Sequence, residues 1–275
     1  MIGVGIIAFK RAFYLRRLIK SLEAQTDLSG INFHFFQDGW VNEFSGLVYA
    51  HDHEIAQSVK TFNMAKLPNK ELHRRERHVS VGINSFEAWE YMTERYDKVM
   101  MMENDVILSP HWFRLANILY NETPDDVFSF SPGFIRQCEK ADIDQHLNSM
   151  TVPESFHFWC ECFTPEKWNN IRPLYLDFYD TFIRGIDFNM RNAQDIINWH
   201  SEHGNPCDIT TQDAGIQTSI WALGLKHACC TVNRGMGIGM IGLDFREPLF
   251  AEFGFAQQMP YVFDSDATLD GFKWL

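Results

Sequence analysis

Apolar positions along this chain follow two rhythms in turn. Residues 2–8, Ile2-Gly3-Val4-Gly5-Ile6-Ile7-Ala8, form the short continuous apolar run of a buried strand. After a basic stretch, Leu15, Leu18, Ile19 and Leu22 recur at the spacing of one helix face. The couple then repeats: residues 31–36 predict a second strand ended by Gln37-Asp38-Gly39, residues 86–96 a helix, and Lys98-Val99-Met100-Met101-Met102 a further strand. Strands over 127–131, 156–163 and 227–233 follow. Thr164 as cap with Pro165 in the first turn opens another helix, and residues 212–223 form one closed by Gly224. From Gly235 onward, Gly235, Gly237, Gly239 and Gly242 crowd together with aromatic residues, which reads as a mobile loop. Strands alternating with helices predict an α/β fold, a mostly parallel central sheet flanked by helices, with ligands bound at the carboxyl ends of the strands. No repeat or linker divides residues 1–275, so a single domain is expected.

Three polar clusters fall on that predicted edge: Ala8-Phe9-Lys10-Arg11, Gln37-Asp38-Gly39 and Glu103-Asn104-Asp105. The third is the most informative. Desolvating a carboxylate costs several kcal/mol, so Glu103 and Asp105 belong where their strand emerges rather than inside it. Residues i and i+2 of a strand share a side, so both carboxylates can converge on a divalent cation. Oxygen-only ligation suits Mg²⁺ or Mn²⁺, which keep several waters and borrow ligands from a substrate's phosphates. The plainer alternative is a strand end with a polar turn, Ser109-Pro110 then opening a helix.

Composition narrows the classes. With 45% hydrophobic and 22% charged residues in 275, the chain is ordinary globular material. Its apolar runs are too short for a membrane span, and no signal peptide is visible. The six cysteines match no zinc spacing; Cys160-Glu161-Cys162 and Cys229-Cys230 lack the two-residue gaps, and reduced thiols in a cytoplasmic setting are expected. A net charge of -12 weakens attraction to nucleic acid and anionic membranes. Arg74-Arg75-Glu76-Arg77-His78 is a local basic exception, read either as a phosphate-facing patch or as a solvated face.

The order of Phe9-Lys10-Arg11 after the first strand, the helix with Tyr14, Leu15, Leu18 and Leu22, Gln37-Asp38-Gly39, and Met101-Met102-Glu103-Asn104-Asp105 with Pro110 and Phe113 resembles GT-A glycosyltransferases. Within them it is most similar to the N-acetylglucosaminyltransferase I-like group, with Glu-x-Asp in place of the usual Asp-x-Asp. The likeness spans residues 1–245, in order and spacing over the first 115 and at anchor positions beyond. It implies a nucleotide-binding half (1–115), an acceptor half (116–245) and a tail (246–275). It also implies that Ala8, Arg11, Asp38, Glu103, Asn104 and Arg234 contact a UDP-sugar, that Asp105 holds Mn²⁺ or Mg²⁺ with Glu103 as a second ligand, and that Asp213 is the base of an inverting transfer. Asn104 departs from the family's acidic middle residue, and the late His that ligates metal in many members is missing, with only Asp244 in that region.

Each assignment has a rival. Asp213 sits where the dipole of a helix favours any carboxylate, and Asp208 is a second candidate base. Arg234 reads as a donor contact or a surface arginine. Glu161 and Trp159, on a strand that borders the acceptor pocket in the family, read as acceptor contacts, or as a paired structural carboxylate and a core ring; Trp168 divides the same way. The expected activity is metal-dependent, inverting transfer from a UDP-sugar to a hydroxyl of a glycan, a protein or a modified nucleobase. A catalytically silent nucleotide-sugar-binding module is the alternative. A nucleotidyltransferase would need a glycine-rich loop after the first strand, and Ala8-Phe9-Lys10-Arg11 supplies none.

Overall fold

The computed structural model describes residues 1–133, 145–153, 158–240, 251 and 273–274. In chain order its elements are β1 (Ile2–Ala8), α1 (Ala12–Glu23), β2 (Ile31–Gln37), α2 (Asp52–Met64), β3 (Lys70–Arg74), α3 (Ser80–Thr93), β4 (Lys98–Glu103), β5 (Val106–Leu108), α4 (Trp112–Glu122), β6 (Val127–Ser131), β7 (Ser149–Thr151), β8 (Cys160–Phe163), α5 (Pro165–Phe182), α6 (Ala193–Glu202), α7 (Gln212–Ala222), β9 (Lys226–Cys230), β10 (Gly235–Gly237) and β11 (Lys273–Trp274).

Among the described residues, nine strands form the main sheet in the order β11-β7-β9-β6-β8-β4-β1-β2-β3. β1 runs parallel to β2 and β4, β2 to β3, and β6 to β9, while β8 enters antiparallel between β4 and β6. The α/β class and the mostly parallel sheet are therefore as the alternation of patterns predicts. β10 pairs antiparallel with β5 in a separate two-stranded sheet, so part of the glycine-rich stretch expected as a loop is a strand.

Strand alternation distributes the core over both faces. Val4 and Ile6 of β1, Phe33 and Phe35 of β2, and Met100 and Met102 of β4 face one cluster with Leu15, Leu18 and Leu22 of α1. Phe36, Val99 and Met101 face the other, with Trp89 of α3, Tyr175 and Phe178 of α5 and Ile216 of α7. Burying these side chains drives the fold, each worth about 1.5–3 kcal/mol. Trp168 is 1% exposed and bonds Glu90, so it is a core ring. Helices thus pack on both faces of the sheet around β2, β4, β6 and β8, while the polar clusters after β1, β2 and β4 lie at the carboxyl ends of those strands. Phe156-His157 of the expected strand over 156–163, together with Gly242, Asp244 and most of the tail 246–275, lie outside the described residues.

Candidate functional site

Arg11 begins the site. It occupies the cap position of α1, three residues beyond the end of β1, and its Nη1 lies 2.7 Å from Asp105 Oδ2. Its Nη2 makes a longer contact, 3.5 Å, to Asn104 Oδ1. Both partners follow β4, the strand hydrogen-bonded beside β1, so parallel pairing delivers the arginine and the carboxylate to one place. Asn104 and Asp105 are buried.

The backbone of the glycine-rich segment closes over this ion pair. Ile238 N–H donates to Asp105 O at 2.8 Å, and a Cβ placed on Gly239 would come within 2.2 Å of Asp105 Oδ2 and 3.4 Å of Arg11 Nη1. Only glycine permits that approach. The ring of Trp159 lies against Gly237 in the same way, a Cβ there meeting it at 2.3 Å, so Trp159 is a half-buried wall of the site.

Glu103 and Asp105 do not share a strand face as expected. β4 ends at Glu103 and the chain turns through Asn104-Asp105 before β5, so the two-residue period stops between them. Glu103 keeps the register of Val99 and Met101 and opens toward α3 and α7, where it lines a cleft with Ile7, Ser85, Phe158, Gln212 and Asp213. Asp105 turns toward Arg11. The cleft therefore brings together two carboxylates, Glu103 and Asp213, that the sequence separates widely.

Asp213 stands in the first turn of α7, where the amino-terminal end of the dipole favours a carboxylate. Its Oδ1 accepts from Gln212 Nε2 at 3.0 Å, and it is half-buried. Burial first, and the neighbouring Asp213 charge second, push the Tyr175 hydroxyl far above its ordinary range, so the phenol beside the cleft stays protonated. Asp208 lies before the helix, exposed to a greater degree and outside the cleft lining.

Several expected contacts are placed elsewhere. Asp38, at the end of β2, is 2% exposed: its Oδ1 accepts from Gly39 N–H and Val79 N–H, each at 2.9 Å, and its Oδ2 lies 2.6 Å from His78 Nδ1. Its backbone N–H donates to Ala8 O, at 3.0 Å, so Ala8 and Asp38 fix each other and the start of α3 rather than presenting free polar atoms. Arg234, expected to reach the donor, is 1% exposed and donates to Leu147 O at 3.0 Å; burial lowers its pKa. Its backbone still matters, because Arg234 O accepts from Ser109 N–H as β10 meets β5.

Glu161 is likewise enclosed. β8 carries it at 0% exposure between β4 and β6, with Oε2 3.0 Å from His227 Nδ1 of β9, and solvent does not reach it. Ser129 and Ser131 hydroxyls lie 2.9 and 3.2 Å from the two ring nitrogens of His227. Burial raises the Glu161 pKa while the His227 charge opposes that shift. The paired structural carboxylate is the reading that matches this position.

The basic run resolves into separate tasks. Arg75 binds Asn84 and Glu87, Arg74 reaches Asp52 at 3.8 Å, and His78 turns inward to Asp38. The Arg77 backbone crosses Gly39 so closely that a Cβ there would meet it at 2.3 Å. His78, Gln212 and Gly239 are the site-shaping residues that the chain order conceals. His78 was hidden within a charge run; Gly239 carried the one usable signal, glycine crowding.

Among the described residues no helix is long and apolar enough to cross a membrane. No family model matches the chain, and no curated protein matches its sequence. Among solved structures the chain is similar to the galactosyltransferase LgtC in complex with donor and acceptor sugar analogues, at 14% identity and a TM-score of 0.44 over 82% of this chain and 72% of that one. It is also similar to an active-site mutant of LgtC, at 13% identity and a TM-score of 0.43 over the same shares. TarS of S. aureus matches at 13% identity and a TM-score of 0.39, over 62% of this chain and 29% of that one.

Proposed function

We propose that this chain is a GT-A-type glycosyltransferase that moves a sugar from a UDP-linked donor to a hydroxyl acceptor with inversion. The observation that carries the reading is the meeting of Arg11 with Asp105 at the ends of β1 and β4, beside a cleft shared by Glu103 and Asp213. Gln37-Asp38-Gly39 and Glu103-Asn104-Asp105 favour the N-acetylglucosaminyltransferase I-like group within that type. Residues 1–115 serve the donor and 116–245 the acceptor.

Arg11 at the amino-terminal end of α1 is suited to a diphosphate, since guanidinium and helix terminus both favour anions. Asp105 offers an oxygen donor that Mg²⁺ or Mn²⁺ would accept, with the rest of the shell from water and phosphate, and Glu103, which opens toward α3 and α7, would reach such an ion only through water. Such an ion, when bound, neutralises charge on the leaving diphosphate. Arg11, held 2.7 Å from Asp105, would offer its remaining guanidinium N–H groups to a phosphate oxygen. Asp38 and His78 are positioning residues, holding the loop that begins α3. Trp159 provides a ring face at the lip on which a sugar can pack.

Asp213 acts as the base. The acceptor oxygen bonds to the anomeric carbon, the bond from that carbon to the diphosphate breaks, and the acceptor's proton passes to the Asp213 carboxylate. Asp213→Asn is expected to lower transfer by about 10²–10⁴-fold in a nucleoside-diphosphate release assay while leaving UDP affinity within a few-fold. Unchanged turnover would remove Asp213 from the reaction. The arginine already seated on Asp105, with Asn104 between the acidic positions, favours a second reading, a silent nucleotide-sugar-binding module. UDP binding without turnover on any hydroxyl acceptor is its signature.

A further inference from the structure

At the outer edge of the sheet, away from the Arg11–Asp105 site, β2 and β3 bring together three side chains with no part in that chemistry. The strands pair in parallel with His34 opposite Glu71 and Phe36 opposite His73. Strand alternation puts Glu71 and His73 on the face that His34 shares. His34 Nδ1 lies 3.0 Å from His73 Nε2, and each nitrogen lies 3.7 Å from an oxygen of Glu71.

Those separations match a coordination shell. Bonds of about 2.0–2.1 Å from a tetrahedral zinc ion hold neighbouring ligand atoms roughly 3.3 Å apart; the two ring nitrogens stand 3.0 Å apart, and each lies 3.7 Å from a different oxygen of Glu71, Oε2 for His34 and Oε1 for His73. Imidazole and carboxylate donors together suit a borderline cation better than the hard ions that take oxygen alone. The rings are also held in place. His34 Nε2 lies 2.6 Å from the Tyr96 hydroxyl, an outer hydrogen bond that holds the ring in place and leaves Nδ1 facing His73 and Glu71. His73 stacks on Phe36 at 4.6 Å between ring centres and meets Tyr91 edge-on.

Exposure is graded across the cluster, the side chains being 4% exposed at His34, 23% at His73 and 56% at Glu71, so one side opens to solvent for a fourth ligand. Two charged groups face it: the Glu71 carboxylate attracts a cation and the Arg95 guanidinium, seated 3.7 Å over the Tyr91 ring, opposes one.

We propose that His34, Glu71 and His73 bind a borderline divalent cation, Zn²⁺ foremost, which ties the edge strand β3 to β2. The site is separate from the hard-cation position proposed at Asp105. Its test reads the metal, not turnover: full-length protein stripped with chelator is titrated with Co²⁺, then Zn²⁺. One equivalent of Co²⁺ should give the strong visible absorption of a four-coordinate ion without a thiolate charge-transfer band, displaced by one equivalent of Zn²⁺. Zn²⁺ at a hundredfold excess over Kd should raise Tm by roughly 5 °C. His73→Gln and Glu71→Gln, at positions accessible enough to spare the fold, should abolish both effects. His53→Gln, which breaks the exposed His51–His53 stack, should leave both intact. A featureless Co²⁺ spectrum in the wild type, a thiolate band, or effects that survive both ligand substitutions or vanish in His53→Gln would overturn the proposal.

Discussion

Gly239 and His34 show how single side chains set conditions elsewhere. A methyl group at Gly239 would intrude on Asp105 Oδ2 at 2.2 Å, so Gly239→Ala should force the ion pair with Arg11 apart. The proposed function predicts at least tenfold weaker UDP binding in calorimetry, with the denaturant midpoint nearly unchanged. Equal affinity would mean that the pair is not part of a nucleotide site. His34 makes a pH prediction. Burial, first among its causes, and the neighbouring His73 lower its pKa from 6.5 to about 4 in the folded chain. As pH falls, the unfolded chain takes up this proton before the folded chain does. The stabilisation is therefore complete above pH 6.5 and drains away toward pH 4, by up to about 3 kcal/mol. Urea midpoints of chelator-treated wild type and His34→Gln, compared at pH 7 and pH 4.5, measure it; parallel pH dependence in the two would contradict it.

At the scale of elements, the buried pair of Glu161 on β8 and His227 on β9 spans strands on both sides of β6. Removing one partner of a buried pair leaves the other uncompensated, so Glu161→Ala should cost about 3 kcal/mol in urea unfolding. A loss below about 0.5 kcal/mol would show that the carboxylate is not held by its partner. The elements also show where sequence patterns speak and where they fall silent. β1 is a continuous apolar run and β2 and β6 are rich in phenylalanine, and their limits agree with the residues 2–8, 31–36 and 127–131 read from the chain to within one residue. β3 is hidden because it is a short edge strand, Lys70-Glu71-Leu72-His73-Arg74, whose single apolar residue gives no alternation to detect. α2 buries only Ile55, Ser58 and Phe62 in 13 residues, too sparse a face to register. The i, i+2 argument for Glu103 and Asp105 failed because it presumed that the strand continued past Glu103, and where a strand ends is set by its neighbours rather than by its own residues.

For the molecule as a whole, topology does what no local motif can. β1 between β2 and β4 places Arg11, Asp38 and Asp105 on one edge, and that convergence follows from alternating patterns and the rule that ligands sit at strand carboxyl ends. The cleft that joins Glu103 to Asp213 depends instead on α7 packing against α5, a contact between distant segments with no sequence signature. The enclosure of Arg234 escaped the sequence for the same reason, since burial of a charged residue is decided by its partners in space, whereas the apolar neighbours of Glu161 already offered a paired structural carboxylate as one of its two readings. A net charge of -12 gives this edge no general affinity for phosphate, so anion binding there must come from Arg11 and the α1 terminus. The most direct measurement is therefore calorimetric titration of UDP, with and without Mn²⁺, into wild type and Asp105→Asn. The proposed function predicts binding in the wild type that strengthens at least tenfold with Mn²⁺, and an Asp105→Asn protein in which that gain is gone. No heat of UDP binding in the wild type, or a gain that persists in Asp105→Asn, would contradict it.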